Sequence, residues 1–429
     1  MRRRRVMQAD RLFFGCVADD FTGAGDAASF LVKSGISTAL YNGIPEKKME
    51  DKSVQGVVIA LKTRNVKKEH AVKESLEAFE WLKEQGACIF YFKYCSTFDS
   101  TDEGNIGPVI DAVMEKMGIP CTVLCPSLPV NGRTLSEGRL YVNGVLLEES
   151  HMKNHPLTPM RKSRLADLMK LQGKYSCVET RTPLTEDAKN KIEEEISKNQ
   201  HCYVVPDYET DVQGQQIAED FPNIGFYTGG SGLLEHLGKY FGRTYGFDGN
   251  KIVEEPVEGS VLLIAGSCSR ITLEQVAAYQ KKGLLSYKIA PARLLDGSLD
   301  AEGIWREAGL DKLSEILVYS SAPPEEVKKT QELGKESIAG IIEDTLAELV
   351  TIARKKGIRK YIVAGGETSG AVMKTLGYEG YRIGRSIAPG VPVMTPLDGP
   401  DYRLVLKSGN FGQKDFFYRA IMSMKGEEL

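Results

Sequence analysis

Two adjacent carboxylates, Asp19 and Asp20, stand where the short apolar run Leu12 to Ala18 stops. A run of that kind suits a buried parallel strand. Directly after the acids come Phe21-Thr22-Gly23-Ala24-Gly25, whose glycines would let backbone N–H groups approach a ligand closely. Asp26 then reads as an N-cap for a helix from Ala27 to Ser34, which Gly35 would close. Strand, acid- and hydroxyl-bearing loop and helix N-terminus together form a site for a polar or anionic ligand. An ordinary strand–turn–helix with Asp19 as a cap explains the same letters, so the stretch gains weight only from what recurs downstream.

Similar strand ends do recur. Gln55 to Leu61 reads as a strand that empties into Lys62-Thr63-Arg64-Asn65. Ala87 to Phe92 reads as another, running into Lys93-Tyr94-Cys95-Ser96-Thr97-Phe98-Asp99-Ser100-Thr101. Gly104-Asn105-Ile106-Gly107 opens a helix to Met117, and Cys121 to Cys125 is a further strand. Strands alternating with helices call for parallel βαβ units with right-handed crossovers. In such sheets ligands bind beyond the carboxyl ends of the strands. There Asp19 and Asp20, Arg64, and Lys93 with Ser96, Thr97 and Asp99 would converge. Acids, cations and hydroxyls from separate strands fit a small, hydroxylated, negatively charged ligand.

Further along, Tyr203 to Asp207 reads as a strand with an acid at its end, and Thr228-Gly229-Gly230-Ser231-Gly232 leads into a helix from Leu233 to Phe241. Residues 246–258 carry no clear period and read as a linker between domains at 1–245 and 259–429. The second half restarts the alternation. Ser260 to Ala265 is a strand followed by Gly266-Ser267-Cys268-Ser269. Gly334 to Lys356 has helical spacing, Lys360 to Ala364 is a strand, and Gly365-Gly366-Glu367-Thr368-Ser369-Gly370 reads as a loop before a helix from Ala371 to Leu376. Arg403 to Leu406 is the last strand, followed by Lys407-Ser408-Gly409-Asn410-Phe411-Gly412. Small residues and backbone donors suit phosphate oxygens. No G-x-x-x-x-G-K-[ST] is present, so the motif of a P-loop protein is not met.

The whole chain sets the bounds. At 429 residues, with 42% apolar and 26% charged residues, it is an ordinary globular chain of two to three domains. A net charge of −3 gives no reason to expect a nucleic-acid or membrane partner. The Arg run at 2–5 is followed by no apolar segment of the kind a signal peptide carries. Eight cysteines without a C-x-x-C pair suit free thiols in the cytoplasm. His151 and His155 are four apart, but Pro156 follows and no Cys or acid completes a set, so no metal ligands are assigned.

Ala18-Asp-Asp-Phe-Thr-Gly-Ala-Gly-Asp26, Lys93 to Thr101 with Gly104 to Gly107, His155 to Met160, Gly365 to Gly370, Pro389-Gly-Val-Pro392 and Lys407 to Gly412 are motifs in family order. On them the chain resembles the four-carbon acid sugar kinase family, most closely its 3-oxo-tetronate kinase branch. The resemblance implies an α/β fold of two α/β domains with largely parallel sheets, an acid-sugar-binding domain facing a nucleotide-binding one, and an active site in the cleft between them. It implies ATP-dependent phosphorylation of the terminal hydroxyl of a 3-oxo four-carbon sugar acid, with ATP and Mg²⁺. By the same carry-over Asp19, Asp20, Arg64 and Lys93 contact the acid, and Thr22, Gly23, Ser96, Thr97 and Asp99 on the same strand-end loops are expected to bind it with them. Ser267 or Ser269, Gly366, Glu367, Thr368, Ser369 and Gly409 serve the nucleotide. Arg64 and Lys93 would hold the carboxylate or 3-oxo group, and Asp20 or Asp19 would take the hydroxyl proton or place Mg²⁺, with Asp99 a third candidate base. D-threonate and D-erythronate kinases of the same family, a non-catalytic sugar-acid sensor, and a homo-oligomeric assembly all stay open.

Overall fold

The structure, a computed structural model, describes residues 12–154, 158–246, 256–312, 315–323, 325–326 and 335–427. His155, Pro156 and Leu157 of the third motif, the Arg run at the start, and most of the expected linker lie outside them. The chain divides into two compact units, Met1–Lys251 and Ile252–Leu429.

The first unit runs β1 (Phe14–Ala18), α1 (Phe21–Lys33), β2 (Thr38–Asn42), β3 (Gly56–Ala60), α2 (Lys68–Gln85), β4 (Ile89–Lys93), α3 (Ile106–Met117) and β5 (Cys121–Cys125). A small antiparallel sheet follows, β6 (Arg133–Ser136), β7 (Arg139–Val142) and β8 (Val145–Leu146). Then come α4 (Leu165–Met169), β9 (Ser176–Thr180), α5 (Glu186–Asn199), β10 (Cys202–Pro206), α6 (Asp211–Asp220), β11 (Phe226–Gly229) and α7 (Gly232–Tyr245). The main strands pair in the order β2-β3-β1-β4-β11-β5-β10-β9, and every pair is parallel.

β1, β3, β4, β5 and β10 are buried at every position. That is why they read as continuous apolar runs, since helices cover both faces of a parallel sheet. α2 shows the complementary pattern. Ala71, Ser75, Ala78, Phe79 and Leu82 form its buried stripe, and Gly86 closes it in the left-handed conformation. Phe79 meets Phe90 and Phe226 edge-on, with ring centroids 6.1 and 5.7 Å apart.

The second unit runs β12 (Val261–Ala265), α8 (Arg270–Lys281), β13 (Ser286–Lys288), α9 (Pro291–Leu295), α10 (Ala301–Glu307), β14 (Glu315–Tyr319) and α11 (Lys335–Lys355). It continues through β15 (Lys360–Ala364), α12 (Gly366–Leu376), β16 (Gly380–Ala388), β17 (Val391–Pro396), β18 (Arg403–Lys407) and α13 (Phe416–Met424). Its strands pair as β13-β14-β12-β15-β18-β17-β16, parallel up to β18 and antiparallel for the last two steps. Leu263, Val276, Ile362, Val405, Phe416 and Phe417 belong to one buried cluster that joins the sheet to α8 and α13. The α/β class and largely parallel sheets are as expected. The β16–β17 hairpin was not anticipated, because Arg382, Arg385 and Ser386 interrupt the apolar residues of β16 and Pro392 and Pro396 break up β17.

Both units change direction at one strand. In the first, the chain builds β2 and β3 on one side of β1, then crosses to place β4 on the other. In the second, β13 and β14 lie on one side of β12 and β15 on the other. Such switch points open a crevice at the carboxyl ends of the strands.

Candidate functional site

At the first switch point the local structure corrects the sequence reading. α1 starts at Phe21 and not at Ala27, because Asp20 is its N-cap and accepts from the Gly23 N–H at 3.2 Å. Thr22, Gly23, Ala24 and Gly25 are therefore helix and not loop. Asp26 is no cap; it is buried inside α1 and accepts from the Ser231 hydroxyl, with Oδ1 left without a partner. Burial pushes its carboxyl above the ordinary range, and Lys93 draws it back part of the way. Two aspartates six apart could each cap a helix. The strand's abrupt end after Ala18 gives the role to the earlier one.

Arg64 grips both strand-end acids. Its Nε and Nη2 donate to Asp19 Oδ2 and Oδ1 at 2.9 and 2.8 Å, and Nη2 also reaches Asp20 Oδ1 at 2.6 Å. Asp19 is 4% exposed, whereas the Asp20 side chain is 31% exposed. Burial pushes the Asp19 carboxyl upward and the guanidinium beside it pulls downward. The same neighbours hold Arg64 firmly in its charged form.

Lys93 closes the group from β4. Its buried ammonium donates to the Tyr94 carbonyl at 2.9 Å. A Cβ placed at Gly23 would stand 2.6 Å from Lys93 Nζ and 2.4 Å from Asp20 Oδ1. Gly23 is thus where the helix, the acid and the ammonium come together. Past Lys93, Ser96 and Asp99 are half-buried, and the buried Thr97 hydroxyl lies 2.9 Å from Cys95 Sγ. Asp19, Asp20, Gly23, Arg64 and Lys93 therefore form one cluster, with Thr22 on the first turn of α1 and Ser96, Thr97 and Asp99 on the next loop.

Two participants escaped the sequence reading. Asn105 donates through Nδ2 to the carbonyls of Thr63 at 2.7 Å, Arg64 at 3.3 Å and Val66 at 2.9 Å. It pins the segment that carries Arg64. Ser231, past β11, anchors Asp26. Both sat in segments whose spacing signalled only helix starts.

In the second unit the expected loop at 365–370 is mostly helix, since α12 begins at Gly366. Gly365 makes that possible with a φ of 137°, a conformation only glycine adopts readily. The N–H groups of Gly366, Glu367 and Thr368 form the free first turn of α12. Ser269 caps α8, accepting from Thr272 N at 3.2 Å and donating to the Gly409 carbonyl at 2.6 Å. A Cβ at Gly409 would stand 2.3 Å from Ser267 Oγ, so the three strand-end segments after β12, β15 and β18 converge. Ser369 Oγ is buried without a partner.

A cavity of about 170 Å³ opens beside these segments. Gly266, Cys268, Glu367 and Thr368 line one side and Ile289, Pro291, Ala322, Ile338 and Ile342 the other. Its rim carries the Lys288–Glu326 ion pair at 2.6 Å. Such a polar end and apolar wall suit a ligand with a charged tail and a flat apolar body. The apolar wall comes from three separate segments, which no single stretch of sequence could reveal.

Comparison with known proteins accounts for this pairing of sites. The model of a sugar-binding N-terminal domain matches residues 14–237, and that of a nucleotide-binding C-terminal domain matches residues 262–417. The chain belongs to the four-carbon acid sugar kinase family. The 3-oxo-tetronate kinase of Actinobacillus succinogenes is 41% identical to this family member, covering 95% of this chain and 98% of its own. That of Haemophilus influenzae is 40% identical over 94% of this chain and 98% of its own. A crystal structure of a Haemophilus influenzae protein superposes with a TM-score of 0.83 at 39% identity, covering 96% of this chain and all of that one. A Salmonella typhimurium structure described as a putative tRNA synthase gives 0.85 at 36% identity, covering 95% and 98%. Among the described residues no helix is long and apolar enough to cross a membrane.

Proposed function

We propose that the chain is an ATP-dependent kinase that phosphorylates the C4 hydroxyl of a 3-oxo-tetronate, giving 3-oxo-tetronate 4-phosphate and ADP. The observation that carries this reading is the Asp19–Asp20–Arg64–Lys93 cluster, in a family member whose relatives are named for that activity. Lys93 gives one of its three donors to Tyr94, and Arg64 keeps Nη1 outside its bonds to the acids. Those donors would hold the substrate's carboxylate and 3-oxo oxygens. Asp20 is the better base of the adjacent pair. It is the more exposed, while Asp19 is locked by two bonds to Arg64.

In the transfer the C4 oxygen attacks the γ-phosphorus and the bond to the β,γ-bridging oxygen breaks. The hydroxyl proton passes to Asp20. Phosphoryl transfer gains mostly from positioning and charge stabilisation. Ser267, Ser269, the first turn of α12 from Gly366 to Ser369, and Gly409 would hold the nucleotide phosphates. The apolar wall at Ile289, Ile338 and Ile342 would take the base.

Magnesium in such sites draws on phosphate and water oxygens plus one or two carboxylates. Among the described residues no group of three or more His, Cys, Asp or Glu could hold a metal ion by itself. Glu343 and Glu367 form a hydrogen-bonded pair on the cavity wall, and burial with the neighbouring Glu367 pushes Glu343 upward. Two neighbouring carboxylates are a fitting donor set for a cation whose other ligands are phosphate and water oxygens. Mg²⁺ there would neutralise charge on the phosphates. Eight free cysteines fit work in the reducing cytoplasm.

The test is a coupled ADP-release assay with ATP and Mg²⁺ against oxidised and unoxidised tetronates. ADP release with the 3-oxo acid above all others is expected. Turnover confined to D-threonate or D-erythronate would move the assignment to those kinases, and ligand binding without ADP release would make the protein a sensor.

A further inference from the structure

Lys407, the last residue of β18, is 2% exposed. Its ammonium donates to Thr272 Oγ1 at 2.9 Å and to the carbonyls of Ser408 and Gly409 at 3.1 Å each. The Phe416 ring lies below it, 5.7 Å from Nζ to centroid. Every acceptor is neutral. The charged groups on the elements packed around it are Arg270, Glu274 and Lys281 on α8, Glu367 and Lys374 on α12, Lys360 at the far end of β15, Lys414 and Asp415 ahead of α13, and Arg419 on α13. Among the described residues none of them pairs with it; Glu274 instead lies 3.8 Å from Arg270 and 3.6 Å from Lys414.

A buried cation without a counter-ion is costly. Burial accordingly pulls the Lys407 ammonium down from the usual lysine range to about 8. Its bonds also have a definite target. Ser269 Oγ and Thr272 Oγ1 donate to the same Gly409 carbonyl at 2.6 and 3.0 Å. That one oxygen, held by three side chains, fixes Gly409 against Ser267 and Ser269.

We infer that Lys407 is a nucleotide-positioning residue whose positive charge, unanswered within the protein, is met by the phosphates of the bound nucleotide. This rests on the reading of the second unit as the nucleotide site. The cation sets the converging segments from beneath, and the anion above completes the charge balance. Binding should then draw a proton onto Lys407 wherever the free protein has partly lost it.

The experiment is calorimetric titration of the full-length protein with ADP at pH 8.0, in two buffers of different ionisation heat. The second phosphate ionisation of ADP lies near 6 and does not contribute at that pH. Wild type is expected to take up about half a proton per ADP bound. Lys407→Met is expected to take up none, to bind ADP at least tenfold more weakly, and to raise the KM for ATP but not for the acid. ADP binding without proton uptake by wild type would overturn the inference, as would a Lys407→Met protein with unchanged ADP affinity or unchanged uptake. If that variant does not fold, the wild-type uptake decides alone. A wild type that binds no ADP at all would instead remove the nucleotide reading, and this inference with it.

Discussion

Replacing Gly23 by alanine should make a protein that still folds and works far worse. Gly23 lies in the first turn of α1, where alanine is favoured over glycine by roughly 1 kcal/mol. The new Cβ would meet only the far ends of two flexible side chains, Asp20 Oδ1 at 2.4 Å and Lys93 Nζ at 2.6 Å. An ordinary contact at about 3.4 Å requires each to retreat by about 0.8–1.0 Å. The fold can absorb that movement, because no backbone has to shift. The chemistry cannot, since a misplacement of about 1 Å costs on the order of a hundredfold in rate. The expected result is a kcat/KM for the sugar acid lowered about a hundredfold. The Tm should change little, because loosening the Asp20 cap on the Gly23 N–H offsets the gain from alanine, and ADP affinity should be unaltered. Measuring all three on one preparation tests the reasoning. Full activity would show that neither side chain needs its present position, and a loss of stability beyond the roughly 2 kcal/mol that one lost cap can cost would show that the backbone and not the side chains gave way.

Asp20→Asn should lower kcat by about 10²–10⁴ while ADP affinity stays within twofold, because it removes the proposed base without touching the second unit; stopped-flow ADP release checks it. Asn105→Leu removes the donor to the Thr63, Arg64 and Val66 carbonyls, so the KM for the acid should rise about tenfold and stability fall by about 1–3 kcal/mol, read by kinetics and thermal melting. Gly409→Ala forces a Cβ to within 2.3 Å of Ser267 Oγ and 3.0 Å of Ser269 Oγ, and should raise the KM for ATP while leaving that for the acid unchanged.

The parallel strands and the residues at their ends were legible because a strand buried on both faces writes itself as an unbroken apolar run. The first polar residue after it must then sit at the carboxyl edge. Asp19 and Lys93 were found in that way, and Arg64 as the third residue of the polar segment that opens with Lys62. Helix starts were less legible at Phe21 and Gly366. Glycine-rich sequence looks like loop, yet here glycine serves close approach at Gly23 and an unusual φ at Gly365 within or just before helices. What joins the pieces was not legible. Asp19 and Arg64 are 45 residues apart and Ser231 and Asp26 are 205 apart, so their bonds exist only once the sheet order is set. Lys407 was visible in a motif, but that its ammonium lacks a counter-ion is a property of packing alone.

The measurement that bears most directly on the account is a crystal structure of the protein soaked with ADP. The nucleotide should lie in the second unit, with its phosphates against Ser267, the first turn of α12 from Gly366 to Ser369, and Gly409. Its base should lie beside Ile289 and Ile342. ADP lodged instead against Asp19 to Asp26, with that cavity empty, would contradict it.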